Sequence, residues 1–235
     1  MRTVTAVAHR GDPYRVRENT LPSLRSALER GADAVEIDVR LTRDGVPVLL
    51  HDSTLKRLWR HDRPLSALPA AEVREVTSGA VPTLAEALDA LADARVMVDL
   101  PGATPRAVRT VVGAIRDAGA ADRVYYCAGA EAMLMVRAAD PAAEIALTWT
   151  TLAPPRPALL AAVRPRWLNY RFSLVNRDLA ARVHRDGHLV SVWTPDTKAS
   201  MRKLLDIGVD SITTNRIDAL VALRGGNGDG GDSAP

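Results

Sequence analysis

Two histidines stand at the ends of short apolar runs, where proton-transfer chemistry is possible. His9 closes "TAVAH" and His51 closes "VPVLLH". Taken alone, a histidine at a strand end is more often a hydrogen-bonded surface residue, and the adjacent Arg10 is more often solvated. Two imidazoles that meet at one site could nevertheless act as a general base and a general acid. Whether these two histidines transfer protons depends on which other groups the fold brings beside them.

The sequence "EIDV" supplies two carboxylates with the spacing of one strand face. Glu36 and Asp38 are two residues apart, so on a strand both side chains point to the same side. Outward carboxylates on a half-exposed strand are one interpretation, but the flanking apolar residues favour a buried strand. Buried carboxylates repel unless a cation lies between them or one takes a proton, and their hard oxygens suit Ca²⁺ or Mg²⁺. Such an ion and Arg10 could together neutralise a phosphate.

Eight apolar, β-branched runs predict the strands that must position these residues. They are residues 4–9, 34–41, 95–100, 123–128, 144–150, 166–172, 188–194 and 210–215. From the third run on, the starts fall roughly every 20 to 30 residues, which is the size of one βα unit. The sequence therefore predicts an α/β fold of the TIM (β/α)8 barrel type, with an open doubly wound sheet as the alternative. The first strand is not followed by Gly-x-Gly-x-x-Gly, which argues against a dinucleotide site.

Helix start signals separate these runs. Asn19 or Thr20 can cap the helix after the first strand, and Thr83 and Glu86 have the spacing of a capping box. These caps indicate that the segments between the strands are helical.

Residues 40–52 also fit a hairpin that turns at Asp44-Gly45 and returns a short strand beside the second one. Residues 53–81 have mixed patterning and predict a small loop-rich insertion. We expect residues 1–223 to form one barrel domain, and the Gly-rich segment 224–235 to be disordered.

Composition narrows the classes of function. The chain has 235 residues, a net charge of +3 and only 4% aromatic residues, which argues against a nucleic-acid partner and favours a small anionic ligand at most. The single Cys127 excludes an intrachain disulfide and a cysteine metal cluster. No run approaches the roughly 20 apolar residues that span a bilayer, and the N-terminal apolar run is too short for a signal peptide. We therefore expect a cytoplasmic protein without stable membrane insertion.

Several motifs in order along the chain resemble one family, the glycerophosphodiester phosphodiesterases, which are phosphodiesterase TIM barrels like the phosphatidylinositol-specific phospholipases C. The motifs are "HRG" (9–11), "ENT" (18–20), "EIDVRLTRDGVPVLLHD" (36–52), "VPTLAEAL" (81–88), "SVWTPD" (191–196) and "GVDSITTN" (208–215). The resemblance runs from residue 7 to about 216. It implies a TIM barrel with a small insertion after the His-Asp motif. The implied reaction is hydrolysis of a glycerophosphodiester to glycerol 3-phosphate and an alcohol with a divalent cation, Ca²⁺ or Mg²⁺.

The resemblance also implies roles for individual residues. His9 and His51 would be the acid/base pair, and a hydroxyl of the substrate's glycerol or a water on the metal would attack phosphorus. The other implied roles are Glu36, Asp38 and Asp99 as metal ligands, Arg10 as a phosphate contact, Glu18 and Asn19 as structural support, and Trp193 as a substrate wall. For Trp193, a core aromatic that fills the top of the barrel is an equal alternative.

The chain departs from the family pattern at four places. Asp99 stands where the family has glutamate, so the ion must shift or a water must bridge. Pro101 replaces a lysine that contacts phosphate. The family's "WTVN" is "WTPD" here, and Asn215 takes the place of the aspartate in "TD.P".

Two further hypotheses remain open from the sequence. A lysophospholipase D or sphingomyelinase D-like barrel would act on a lipid headgroup, and residues 147–160 could supply its apolar groove. A degenerate barrel would bind a phosphorylated ligand without turnover, because Pro101 brings no charge. The sequence leaves open the headgroup, the metal, the oligomeric state and which histidine is the base.

Overall fold

The predicted strand and helix segments form regular elements in the computed structural model, which describes residues 4–225. In chain order the elements are β1 (Thr5–His9), α1 (Leu21–Glu29), β2 (Ala34–Leu41), β3 (Pro47–Leu49), β4 (Thr54–Leu55), α2 (Lys56–Trp59), β5 (His61–Pro64), α3 (Ala70–Val76), α4 (Leu84–Ala90), β6 (Arg95–Asp99), α5 (Pro105–Asp117), β7 (Val124–Ala128), α6 (Ala130–Ala139), β8 (Glu144–Trp149), α7 (Pro157–Val163), β9 (Trp167–Arg171), α8 (Arg177–Arg185), β10 (Leu189–Trp193), α9 (Lys198–Ile207), β11 (Ser211–Thr214) and α10 (Ile217–Gly225).

Eight of these strands close into a parallel barrel. The ring runs β1, β11, β10, β9, β8, β7, β6 and β2, and β2 pairs again with β1. An open sheet would leave β1 with one neighbour, whereas here it has two. The predicted TIM barrel is confirmed, and the open sheet is wrong. The register sets His9 beside Glu36 and Asp38 beside Asp99, so the polar strand ends meet at one face.

Apolar side chains fill the barrel below that face. The interior cluster contains Val7, Ala34, Met97, Tyr125, Cys127, Ala146 and Trp167, all buried. The rings of Tyr125 and Trp167 stack with centroids 6.3 Å apart. A second, larger core lies between the strands and the surrounding helices, where Leu24, Ile37 and Ile212 are fully buried. The carboxylates at the strand ends therefore lie above a closed, apolar floor.

The predicted hairpin is present. β3 pairs antiparallel with β2, with Val39 opposite Leu49, and Gly45 adopts the positive φ of 84° that the turn requires. Because β3 lies outside the ring, it returns the chain to the rim of the barrel at His51.

The insertion of residues 53–81 has more regular structure than its sequence predicts. It contains the β4–β5 pair and the helices α2 and α3. Its small core includes Leu55, Leu65, Leu68, Val73 and Val81, which pack with Val48 and Leu50 of the hairpin. The insertion is thereby fixed beside the segment that carries His51.

The helix caps follow the sequence closely. Thr20, rather than Asn19, is the N-cap of α1 and accepts a hydrogen bond from the Ser23 amide. Thr83 and Glu86 form the predicted capping box of α4.

The two ends of the described chain lie together. In α10, Arg224 donates a 2.8 Å hydrogen bond to the carbonyl of Val4 and pairs with Asp33. α10 extends through Gly225, so the first two residues of the predicted tail 224–235 are helical. The rest of that tail, residues 226–235, lies outside the described residues. Among residues 4–225, the helices are all too short or too polar to cross a bilayer.

Candidate active site

Six of the predicted site residues line one cavity of about 700 Å³ at the carboxyl ends of the strands. Its lining includes His9, Arg10, Glu36, His51, Asp99 and Trp193. In a TIM barrel this face is where the loops that follow the strands meet. The residues come from strands β1, β2, β6 and β10 and from the end of the hairpin, so barrel closure is what brings them together.

Three carboxylates cluster on one side of the cavity. Glu36, Asp38 and Asp99 each offer an oxygen, and these atoms all lie within 4.8 Å of one another. Burial and the neighbouring carboxylates Asp38 and Asp99 raise the pKa of Glu36 well above its usual range. Burial and the charge of Asp38 raise the pKa of Asp99 to about 6. The cluster thus carries more negative charge than its protein surroundings neutralise, and its hard oxygens fit a divalent cation such as Ca²⁺ or Mg²⁺.

Asp38 is held in place by two neighbours from the β1–α1 loop. The Arg10 Nε lies 3.0 Å from Asp38 Oδ2, and the Asn19 Nδ2 donates a 2.8 Å hydrogen bond to the same oxygen. The Asn19 Oδ1 accepts a 3.3 Å hydrogen bond from the Asp38 amide. Asn19 therefore bonds both the side chain and the backbone of this residue.

Arg10 bonds more protein groups than a residue that served only to contact phosphate would. Besides Asp38, its guanidinium donates a 3.0 Å hydrogen bond to Glu18 Oε1, and its backbone amide donates a 3.0 Å hydrogen bond to Glu36 Oε2. Its positive φ of 57° turns the chain sharply after His9. Arg10 thus sets the positions of the carboxylates in addition to lining the cavity.

His9 bonds through one ring nitrogen and faces the carboxylates with the other. Its Nδ1 is 2.7 Å from Asn215 Oδ1, and its Nε2 is 3.9 Å from Glu36 Oε2. Burial and the nearby charge of Arg10 lower the pKa of His9, against the raising effect of the Asn215 hydrogen bond. Asn215 in turn donates a 2.8 Å hydrogen bond to Asp196 Oδ2.

His51 stands at the end of a chain of alternating charges. Its Nδ1 is 2.7 Å from Asp52 Oδ1, and Arg57 donates a 2.6 Å hydrogen bond from Nε to Asp52 Oδ2. Arg57 also donates hydrogen bonds of 2.6 and 3.1 Å to Glu18, which bonds Arg10. The Arg57 hydrogen bond, with smaller effects of His51, lowers the pKa of Asp52 to about 2. For Glu18, burial would raise the pKa, but Arg57 and Arg10 lower it overall.

The part of the cavity wall at the ends of β6 and β7 carries little charge. Residues 100–103 and 127–132 form much of it, and Pro101 is among them. Trp193 lines the cavity, and its buried Nε1 has no hydrogen-bond partner within residues 4–225. Of residues 147–160, the segment expected to supply an apolar groove, only Thr148 joins the lining. Any apolar contact with a substrate therefore comes mainly from the loops after β6 and β7.

Three residues that take part in the site were not predicted from the sequence. Asp52 bonds His51, Arg57 bonds Glu18, and Asp196 bonds Asn215, which in turn bonds His9. Asp52 directly follows His51 in the "HD" motif, and Asp196 lies in "WTPD", so both carried a signal. Arg57 lies in the irregular insertion and carried none. The histidines at 61, 184 and 188 do not line the cavity.

The chain is similar to known proteins over most of its length. The model of the glycerophosphoryl diester phosphodiesterase family matches residues 9–219. A probable glycerophosphodiester phosphodiesterase 2 of Mycobacterium tuberculosis is 34% identical over 252 aligned residues, which cover 96% of this chain and 93% of the relative. A glycerophosphodiester phosphodiesterase of Caldanaerobacter subterraneus is 27% identical, with coverage of 92% and 96%.

Solved structures share the barrel. A putative glycerophosphoryl diester phosphodiesterase of Silicibacter pomeroyi superposes with a TM-score of 0.87 at 22% identity, covering 97% of this chain and 95% of that chain. An Oleispira antarctica phosphodiesterase, solved in complex with the product sn-glycerol-3-phosphate, superposes with a TM-score of 0.83 at 24% identity, covering 93% and 95%. These two likenesses show the fold. The family model covers nearly all of the described residues, and on that ground the chain belongs to the glycerophosphoryl diester phosphodiesterase family.

Proposed function

We propose that this member of the family hydrolyses a glycerophosphodiester to glycerol 3-phosphate and an alcohol, with His9 and His51 as the acid/base pair. The observation that carries the proposal is the convergence of both imidazoles and the carboxylate cluster on one cavity. The product named for the Oleispira antarctica structure supports the same substrate class. Cytoplasmic location and the lack of a nucleic-acid partner remain predictions.

Glu36, Asp38 and Asp99 would hold a divalent cation, Ca²⁺ or Mg²⁺. The fit rests on the donor set, because three close carboxylates in a largely buried site offer the oxygen ligands that these ions prefer. When bound, the cation would offset the negative charge of the substrate phosphate. Asn19 and Arg10 would keep Asp38 in place for it.

The two histidines would move the protons of the reaction. One takes the proton of the attacking hydroxyl or water as its oxygen bonds to phosphorus. The other gives a proton to the oxygen of the leaving alcohol as the old P–O bond breaks, so atoms and charge balance. Both rings bond a protein partner through Nδ1, which leaves Nε2 for this transfer.

Hydrolysis of glycerophosphocholine and glycerophosphoethanolamine with added Ca²⁺, Mg²⁺ or Mn²⁺ tests the proposal. We expect His9→Gln and His51→Gln each to lower kcat by about 100-fold or more. His184→Gln is the matched control, since His184 bonds Asp210 on the outside of the barrel and should leave the rate unchanged. Equal background rates in wild type and both variants with every metal would contradict the proposal.

A lipid headgroup as substrate is the second candidate, and the weakly charged wall of residues 100–103 and 127–132 is what favours it. The comparison of a lysophospholipid with its deacylated diester separates the two. We expect the deacylated diester to have the higher kcat/KM, because residues 147–160 add only Thr148 to the cavity. Tight binding of the diester without any product would instead indicate the non-hydrolytic barrel.

A further inference from the structure

A chain of hydrogen bonds connects Asp196 to His9 through Asn215. Asp196, between β10 and α9, accepts hydrogen bonds at Oδ1 from the Asn215 amide at 3.0 Å and from Thr214 Oγ1 at 3.1 Å. Its Oδ2 accepts a 2.8 Å hydrogen bond from Asn215 Nδ2. The Asn215 Oδ1 then lies 2.7 Å from His9 Nδ1. Three strands that are adjacent in the ring, β10, β11 and β1, are linked in this way.

The chemistry of Asp196 and Asn215 fixes which atom is the donor in each of these hydrogen bonds. An ionised carboxylate can only accept, so the Asn215 amide must turn its NH₂ toward Asp196. Its carbonyl oxygen is then left for His9, and a carbonyl can only accept as well. The ring proton of a neutral His9 must therefore be on Nδ1, and the lone pair must be on Nε2. That nitrogen is the one that faces Glu36 and the cavity.

We propose that Asp196, acting through Asn215, is a positioning residue that fixes His9 in the Nδ1–H tautomer and so leaves the lone pair of Nε2 facing the cavity. The tautomer follows from the hydrogen bonds alone, whereas its effect on the rate rests on the function proposed above. Asp196 does not touch the reacting atoms in this arrangement. It acts by deciding which nitrogen of His9 is free.

The partner of the second histidine differs in charge. His51 Nδ1 bonds the carboxylate of Asp52, an anion, whereas His9 Nδ1 bonds a neutral amide. A carboxylate and an amide oxygen both only accept hydrogen bonds, so a neutral His51 also carries its ring proton on Nδ1. The two rings therefore differ in the charge of the Nδ1 partner and not in the tautomer.

Substitution of Asp196 by asparagine should reverse the direction of the hydrogen bonds that link residue 196, Asn215 and His9. An amide at position 196 cannot accept at both oxygen positions, and its NH₂ would face the NH₂ of Asn215. Asn215 would turn over, its NH₂ would point at His9 Nδ1, and the ring proton would move to Nε2. The double variant Asp196→Asn/Asn215→Asp restores a full set of partners, because the new amide donates to the new carboxylate, which accepts from His9.

Long-range ¹H–¹⁵N correlation spectra test the tautomer directly. Metal-free protein with ring-¹⁵N histidine is measured at pH 8, and the signals that disappear in His9→Gln belong to His9. We expect Nδ1–H in the wild type, Nε2–H in Asp196→Asn, and Nδ1–H again in the double variant. Asp206→Asn, an exposed carboxylate on α9, is the matched control and should show the wild-type spectrum.

The proposal is overturned if His9 of the wild type carries its proton on Nε2, or if Asp196→Asn leaves the tautomer unchanged. Should Asp196→Asn fail to fold, the wild type and the double variant decide the matter, since a His9 proton on Nε2 in the double variant would contradict the proposal. These spectra need no substrate. A protein that gives them but hydrolyses no glycerophosphodiester would retain the assigned tautomer and lose only the proposed substrate.

Kinetics separate positioning from a merely structural role. We expect Asp196→Asn to lower kcat by about 100-fold, as for the loss of a general base, with KM changed by less than about twofold. The double variant should recover kcat to within about tenfold of the wild type. Loss of activity in the double variant together with a wild-type tautomer would overturn the link between the tautomer and the rate.

Discussion

At the scale of single residues, Asp99 is a carboxylate whose charge is costly to the metal-free fold. Its usual pKa of 3.8 rises to about 6 because of burial and the charge of Asp38. An acid whose pKa is raised in the folded state binds its proton more tightly there than in the unfolded chain. Its ionisation therefore lowers stability as pH rises from about 4 to above 6, and the loss is complete at alkaline pH.

Asp99→Asn should stabilise the metal-free protein at pH 8. Removal of the charge should raise the free energy of unfolding by roughly 3 kcal/mol there, since one pKa unit corresponds to about 1.4 kcal/mol. Little change is expected at pH 4, where folded Asp99 is already protonated. Urea unfolding in EDTA at both pH values measures the difference.

Asp206→Asn serves as the exposed control and should change the free energy of unfolding by less than about 0.5 kcal/mol at either pH. A destabilised Asp99→Asn at pH 8 would mean that the carboxylate is compensated within the protein itself. Added Ca²⁺ should raise the melting temperature of the wild type more than that of Asp99→Asn, because the variant lacks one of the three oxygen donors.

The sequence predicts several site residues because their positions on strands are simple. His9 and His51 end apolar runs, and the two-residue spacing of Glu36 and Asp38 sets them on one face. The contact of Asp196 with Asn215 was out of reach, since 19 residues separate them and each looked like an independent departure from the family pattern. In space the two departures are one exchange, in which a carboxylate and an amide have traded places across a hydrogen bond.

At the scale of elements, the insertion reaches the site through α2. Arg57 on this four-residue helix bridges Asp52 and Glu18 and so connects the surroundings of His51 to those of Arg10. The neighbouring Lys56 instead pairs with Asp62 within the exposed part of the insertion. The two adjacent basic residues thus have different partners, since Arg57 bonds residues next to the site and Lys56 does not.

Arg57→Gln should lower kcat/KM by about tenfold, the usual scale for loss of a group that orients a site residue. The reason is that Asp52 and Glu18 lose the cation between them, and Asp52 then holds His51 less firmly. Initial-rate kinetics on the proposed substrates measure the change. Lys56→Gln removes the same charge one residue away and should leave kcat/KM within about twofold. Equal losses in both variants would indicate a general charge effect.

The short elements of the insertion explain why the sequence did not reveal them. The hydrophobic period of a helix or strand needs several residues to be recognised, and β4, α2 and β5 have two, four and four. The barrel strands are long enough to show their pattern and were predicted close to their observed bounds, and α1 and α4 carry clear caps. Regular alternation could not decide closure, for which the family resemblance was needed.

At the scale of the whole molecule, β11 completes the barrel by pairing with β1 and β10. Ile212 lies in the middle of this strand and is fully buried in the core beneath the helices. Its partners in the register are Ala6 and Val192. Packing at this position therefore supports the closure on which the site depends.

Ile212→Ala should lower the free energy of unfolding by about 2 to 5 kcal/mol, because a cavity replaces buried methyl groups. Leu152→Ala is the matched control, since Leu152 is 58% exposed and should cost less than about 0.5 kcal/mol. Urea unfolding followed by circular dichroism measures both. A change near zero for Ile212→Ala would show that the barrel relaxes around the loss.

Because Arg224 contacts Val4, the two ends of the described chain are close enough to be joined. The chain could therefore begin at a different βα unit while the order of the strands around the ring stays the same. A circular permutant that joins Val4 to Gly225 by a short linker and opens at Gly187, a positive-φ glycine in the α8–β10 loop, would keep every strand neighbour. That loop lies at the end of the barrel away from the cavity. Such a permutant should hydrolyse the same substrates as the natural order, with β10 as its first strand and His9 on its third strand, after the linker.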